Sequence, residues 1–227
     1  FISPHQLNDY QHHHQFTPAR YILLPPEIKR DRCMPDDYLA RRASLRASYG
    51  VRDNEKVLLA LGSAFHRKGL DRNIRALAKL NDPSIKLWVI GEGDPAKFIA
   101  LATKLRVDKQ IHFWGAKDNV EEFLWMSDLL LHPARSEAAG ACLVEAIVAG
   151  VPVIATRECG FSHYISRFAM GQEISQSEAD NYLASHIYRF LEIEREHWLE
   201  TAQAAINDES LFSRSIIASN YIESCAG

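Results

Sequence analysis

The sequence predicts an α/β fold built on a doubly wound parallel sheet, and three observations carry that prediction. First, five short apolar runs recur through its middle, at residues 57–61, 85–90, 111–114, 129–131 and 151–155. They are apolar nearly throughout rather than alternating, the pattern of strands buried on both faces. Second, each pair of runs is separated by a segment of helical character, such as Leu70, Ile74, Leu77 and Leu80 at helical spacing. Strand and helix in short alternation give crossover units and a parallel sheet. Third, the runs end in glycine or otherwise unusual residues: Gly62-Ser63, Gly91-Glu92-Gly93, Trp114-Gly115-Ala116 and His132-Pro133.

In chain order, residues 4–15 form a polar helix. A short strand over 20–24 is closed by Pro25-Pro26, which cannot continue a ladder. Residues 27–35 are charged and irregular. A helix over 36–49 is stopped by Gly50. Helices over 70–80, 95–105, 120–126 and 141–149 then alternate with the five strands. The remainder is helical, over 182–192, 194–206 and 211–224. Phe1-Ile2-Ser3 resembles the tail of a strand, so the natural polypeptide is expected to begin upstream.

Composition narrows the function. The 227 residues are 47% hydrophobic and 24% charged, which suits a globular protein with an ample core. Twenty-six basic residues against 29 acidic ones give a net charge of -3. That balance argues against broad nucleic-acid binding and leaves room for a local basic pocket. Cys33, Cys142, Cys159 and Cys225 form no CxxC pair, and free thiols in a reducing cytosol fit them. The longest apolar run, 141–155, is broken by Glu145, Gly150 and Pro152, and no signal peptide is visible.

In an open parallel sheet, ligands bind beyond the carboxyl ends of the strands, against helix N-termini. Gly62 and Ser63 there are followed by Arg67-Lys68-Gly69, two adjacent cations before a helix, which suit a diphosphate. A solvated Arg-Lys pair is the plainer alternative. Past Pro133, Glu137 precedes the small residues Ala138, Ala139 and Gly140, and Glu145 lies eight residues further on. A sugar could bond Glu137 above the amides of 138–140, and Glu145 could reach a second polyol such as a ribose. A capping acid and a solvated glutamate are the alternatives. Glu145, however, sits among Leu143, Val144, Ala146, Ile147 and Val148, and an acid in so apolar a helix needs a partner.

These residues resemble the motifs of glycosyltransferase family four, the group 1 glycosyltransferases. Glu137 and Glu145 match its E-x7-E pattern, residues 145–154 its EAxAxGxPVI stretch, Arg67-Lys68-Gly69 its RKG turn and Gly91-Glu92-Gly93 its GxG. Within that family, residues 62–72, the variant 137–140 and Cys159 to Ile165 are similar to glucosyltransferases of the lipopolysaccharide core that act on inner-core heptose. Ala138-Ala139 stand where many members carry Gly-Phe.

The resemblance implies the Rossmann-like C-terminal half of a GT-B fold. Residues 1–28 would be the remnant of an N-terminal Rossmann-like domain, 29–35 a linker, 36–208 the nucleotide-sugar domain and 209–227 a crossover helix. It implies a retaining hexosyltransferase moving glucose from UDP-glucose to a core heptose or similar glycan. The isolated piece would be inactive without the other half. Arg67 and Lys68 would hold the diphosphate, with Gly62 and Ser63 lining the phosphate site. Glu137 would bond the hexose with Ala138, Ala139 and Gly140. Leu143 and Glu145 would lie at the donor, Glu145 on its ribose, and Ala116 and Lys117 beside its base. No metal and no cofactor beyond the donor is implied. The acceptor would be a glycan or glycolipid held by the missing domain, with no nucleic acid. The setting implied is cytoplasmic, with peripheral contact at the inner membrane left open. A non-catalytic nucleotide-sugar-binding module and a UDP-sugar 2-epimerase of the same architecture are the alternatives.

Other residues carry weaker signals. His12-His13-His14 do not share one helix face, so a metal site is not expected there. Trp88, Trp114 and Trp125 are expected in the core, and Cys142 and Cys159 in packing. His163 either faces the donor or is a structural histidine.

Overall fold

A computed structural model of the chain describes residues 4–14 and 21–226. Six strands form one parallel sheet: β1 (Lys56–Leu61), β2 (Ile85–Ile90), β3 (Ile111–Gly115), β4 (Leu129–His132), β5 (Val153–Thr156) and β6 (Gly171–Ile174). Their spatial order is β3-β2-β1-β4-β5-β6. All five pairings are parallel, as continuous apolar runs require. Val57, Leu58 and Leu59 of β1, like Leu129 and Leu130 of β4, are fully buried. The doubly wound α/β class expected from the sequence is the one observed.

The helices among the described residues are α1 (Pro4–His14), α2 (Tyr38–Ser48), α3 (Leu70–Leu80), α4 (Ala96–Lys104), α5 (Val120–Met126), α6 (Ala141–Val148), α7 (His163–Arg167), α8 (Gln176–Asn181), α9 (Leu183–Leu191), α10 (Arg195–Ile206) and α11 (Arg214–Ala226). The chain winds from β1 to β3 in one direction, then returns to lay β4 on the other side of β1. The switch point therefore lies between β1 and β4, where the loops after both strands open onto one crevice. Among the described residues, no helix is long and apolar enough to cross a membrane.

Several elements depart from expectation, the short helices α7 and α8 among them, which the sequence reading leaves out. The strand expected over 20–24 is not formed: residues 21–24 lie outside the sheet, and Tyr21 and Leu23 are exposed. Arg20 lies outside the described residues. β6 goes unexpected because its side chains, apart from Ile174, are half-exposed and mostly polar, as suits a sheet edge. The helix expected over 211–224 begins instead as a 3-10 turn at Glu209–Phe212 before α11. Residues 27–35 are irregular apart from one turn at Arg30–Arg32, yet they are pinned. Ile28 N–H bonds Leu211 O at 2.8 Å and Met34 N–H bonds Val148 O at 2.8 Å.

The opposite edge of the sheet, where strands begin, is held by one acid. Asp128 accepts from Arg42 at 2.8 Å, Arg46 at 3.3 Å, Arg195 at 2.8 Å and the Val57 amide at 2.7 Å. It thereby joins α2, α10 and β1. A cavity of about 460 Å³ adjoins this cluster, but its arginines are already spent on Asp128 and on the carbonyls of Trp125, Met126 and Ser127. Burial by itself would raise the Asp128 pKa; Arg42, Arg195 and Arg46 outweigh it and hold the group below its ordinary value.

Asp128 therefore stabilises the fold above the ordinary carboxylate range, and that contribution is lost as pH falls below it. Asp128→Asn is expected to cost about 3 kcal/mol at neutral pH. Denaturant unfolding at pH 7 and at pH 3 checks this, because the deficit of the variant should shrink at the lower pH.

Candidate functional site

The crevice at the switch point is built by two loops packed backbone to backbone. The loop after β1 turns at Gly69, whose φ is 78° and whose added Cβ would stand 2.1 Å from the carbonyl oxygen of Pro133. Only glycine fits this approach. Arg135 N–H bonds Arg67 O at 2.8 Å, and the Arg135 guanidinium reaches His66 O at 2.7 Å and both Asp71 oxygens at 2.8 and 2.9 Å. The buried Arg72 donates to Pro133 O at 2.9 Å. Both loops therefore move as one body.

This packing brings the two cations to the first acid. Lys68 Nζ lies 2.9 Å and Arg67 Nη1 3.0 Å from the same oxygen, Oε2 of Glu137. The Lys68 side chain lies over Gly62, where a Cβ would stand 2.8 Å from Nζ. His132, at the end of β4, points Nε2 toward that oxygen at 3.8 Å. His132 first, then Lys68 and Arg67, overcome burial and hold the Glu137 carboxyl far below the usual carboxylate range. A third loop fixes it from the other side. Gly160 N–H bonds Glu137 O at 3.0 Å and Phe161 N–H bonds Ala139 O at 2.8 Å.

A cavity of about 500 Å³ opens in front of this cluster. Gly62, Ser63, Lys68, Ala116, Lys117, Glu137, Ala139, Gly140 and Glu145 all line it. Gly140, at φ 81°, turns the chain into α6, so the first amides of that helix, without partners inside it, open at the cavity wall. Arg67 stands at the rim, on an adjoining hollow with Phe65, Asp94 and Phe98. Ala138 is exposed beside the cavity. Leu143 lies behind it: the side chain is fully buried and its amide is engaged with Gly140 O at 3.0 Å.

Glu145 faces the far end. Arg32 Nε stands 3.8 Å from its Oε1, while the Arg32 guanidinium also bonds Glu121. Burial raises the Glu145 pKa, against the pull of Arg32. The site thus holds one acid pressed into its charged form and one whose charged form is disfavoured.

The residues with weaker signals are also placed. Trp88 and Trp125 are buried, and Trp114 packs with Tyr49, Trp88 and Phe123. His163 sits beside Gly160 O at 3.2 Å and against the Tyr164 ring. His12, His13 and His14 are exposed on α1. Cys33, Cys142 and Cys159 carry free thiols.

The family model for glycosyl transferases group 1 matches residues 41–207. The chain belongs to the group 1 glycosyl transferases. Among curated relatives, the lipopolysaccharide glucosyltransferase WaaG of Escherichia coli (strain K12) is 38% identical over 217 residues, 93% of this chain and 58% of that protein. A crystal structure of WaaG, a glycosyltransferase involved in lipopolysaccharide biosynthesis, superposes with a TM-score of 0.84 at 37% identity, over 98% of this chain and 61% of that one. Anabaena HepE in complex with UDP and glucose superposes with a TM-score of 0.75 over 91% of this chain and 56% of that one, at 20% identity, a likeness of fold. The chain thus spans about three fifths of the length of WaaG. Its sheet is the Rossmann-like half of a GT-B glycosyltransferase.

Several residues around this cavity escape a reading by motif. Arg32 comes from the irregular segment before α2, more than a hundred residues from Glu145. Arg72 and Arg135 read as ordinary surface cations until the loops are packed. The stretch 158–161 carries a family-like pattern, but its task is visible only in space: a Cβ on Gly160 would stand 2.0 Å from Ala138 O. Gly160→Ala is therefore expected to push the Glu137 loop away, at a cost of about 2 kcal/mol. Chemical denaturation should read that loss, and hydrogen exchange should read faster exchange at the amides of Gly160 and Phe161.

Proposed function

We propose that this chain is the donor-binding half of a retaining glycosyltransferase that takes UDP-glucose and passes glucose to a heptose of a lipopolysaccharide core or to a similar glycan. The observation that carries this reading is the meeting of Arg67, Lys68 and Glu137 at one end of a cavity that has Glu145 at the other. Family membership and the name of the WaaG relative support the transferase class, the glucose and the lipopolysaccharide acceptor.

The roles follow from charge. A diphosphate at the Gly62–Ser63 turn meets Lys68 and Arg67, and as the sugar–phosphate bond breaks these cations stabilise the charge gathering on the leaving UDP. The cations supply this neutralisation from the chain itself, so the reading calls for no metal. The opening turn of α6 adds its amides and the positive end of its dipole. Glu137, fixed as a carboxylate, accepts from hexose hydroxyls. Glu145 bonds the ribose diol. Ala116 and Lys117 flank the base. The acceptor hydroxyl, held by an N-terminal Rossmann-like domain, attacks the face from which UDP leaves, and the configuration is retained. This half, by itself, binds donor and transfers nothing.

Isothermal calorimetry with UDP and UDP-glucose tests the reading directly. Lys68→Ala should weaken UDP about 30-fold, the loss of one charge-assisted contact of about 2 kcal/mol. Glu137→Gln should weaken UDP-glucose more than UDP. Absence of binding by the unaltered chain, or equal affinities across these variants, overturns the proposal. Joined to the N-terminal half, the enzyme should need an acceptor to consume labelled UDP-glucose. Epimerised sugar nucleotide formed without one would overturn the transferase reading.

A further inference from the structure

His132 is 1% exposed, and its Nε2 has no hydrogen-bond partner. Its other ring nitrogen, Nδ1, stands 3.7 Å from the Cys142 sulfur, and with the thiol donating to Nδ1 the ring proton sits on Nε2, on the side of Glu137. The 3.8 Å that separates Nε2 from Glu137 Oε2 is too long for a hydrogen bond. The same oxygen is held away by Lys68 at 2.9 Å and Arg67 at 3.0 Å. A buried ring nitrogen aimed at an acid and stopped short of it is costly to leave so. It marks an arrangement that is completed when something else moves.

We infer that His132 is the positioning residue of Glu137: when a sugar diphosphate draws Lys68 and Arg67 onto itself, Glu137 closes on Nε2 of His132 and is held there against the hexose. The inference rests on the donor-site reading above and adds a residue to it. Without His132, the acid would lose both cations to the phosphates and be left half-buried with nothing behind it. The ring is suited to the task because it is rigid, sealed from water and set on the end of a core strand. The groups that face it are Cys142 at the start of α6, Cys159 after β5, and Glu137, which carries Lys68 and Arg67 beyond it. Burial opposes charge on the ring, but these partners outweigh it and raise the His132 pKa above its ordinary value. A void of about 10 Å³ shared by His132, Asn73 and Lys68 offers the ring a rival partner, since it has room for about one water.

Two measurements test this on the chain itself. In the first, the NMR signals of the His132 Nε2–H group are followed as UDP or UDP-glucose is added. They should shift to those of a ring bonded to a carboxylate. A signal that stays unchanged while the ligand binds, as for a ring bonded to a fixed water, overturns the inference. In the second, the ratio of UDP-glucose to UDP affinity is compared between His132→Gln and His132→Asn. The glutamine amide reaches the place of Nε2, and the shorter asparagine reaches only that of Nδ1. The ratio should hold within about threefold in the glutamine variant and fall about tenfold in the asparagine variant, the loss of one charge-assisted bond. Equal ratios in both folded variants overturn the assignment. Should the unaltered chain bind neither UDP nor UDP-glucose, the donor-site reading fails and this inference falls with it, a result distinct from binding without the shift.

Discussion

The site depends on how closely the loop after β1 is driven against the loop after β4. Gly69 passes so near Pro133 O that no other residue could take its place without moving one backbone. That approach follows from the topology. The chain leaves β1 and β4, adjacent strands at the switch point, and both loops must leave through the same gap. Arg72, on α3, then ties down the Pro133 carbonyl of the second loop, and Arg135, on that second loop, ties down the His66 carbonyl of the first and Asp71 on α3. Cations that follow one strand are thereby held within 3.0 Å of an acid that follows another, some 70 residues later. No local preference of either segment would produce that distance.

In the resting structure the two cations and the acid satisfy one another. The pairs are modest in energy: Arg67 is nearly half exposed and its contact is screened. A diphosphate carries more charge than one carboxylate and accepts from both cations at once, so exchange of partners is favourable on Coulomb grounds. The arrangement keeps Lys68 folded over Gly62 and Glu137 in the cavity wall until a ligand arrives. Ordering is then largely complete before binding, which reduces its entropic cost.

The sheet was legible in the sequence because its central strands bury both faces and therefore read as unbroken apolar runs. β6 was not, because an edge strand with half-exposed Gln172 and Glu173 has no such run. Residues 21–24 show the converse: β-like composition describes a side-chain pattern, and here it is carried by a segment outside the sheet. In the site, Lys68 and Glu137 were legible because they lie between a strand end and a helix start, and Glu145 because it is an acid inside an otherwise apolar helix. Leu143, two residues before Glu145, turns its side chain into the core behind the cavity. Arg32 and Gly160 were out of reach, since what they do is defined by contacts across the fold and not by their neighbours in sequence.

The two acids of the cavity differ in a way that matches its two ends. Each has a buried nitrogen 3.8 Å behind it that finds no other partner: His132 Nε2 behind Glu137, Arg32 Nε behind Glu145. Glu137, at the cationic end, is pressed into its charged form, and a fixed carboxylate there prevents Lys68 and Arg67 from leaving an uncompensated double charge when the cavity is empty. Glu145 lies where burial raises its proton affinity and only Arg32 opposes that. An acid so placed can accept from one hydroxyl of a vicinal pair and, when protonated, donate to the other. The same residue type thus takes opposite charge preferences at the two ends of one cavity, and environment alone separates them. Since Arg32 belongs to the segment that leads into α2 and is pinned to α6 through Met34, the Glu145 end of the cavity is coupled to the placement of that segment.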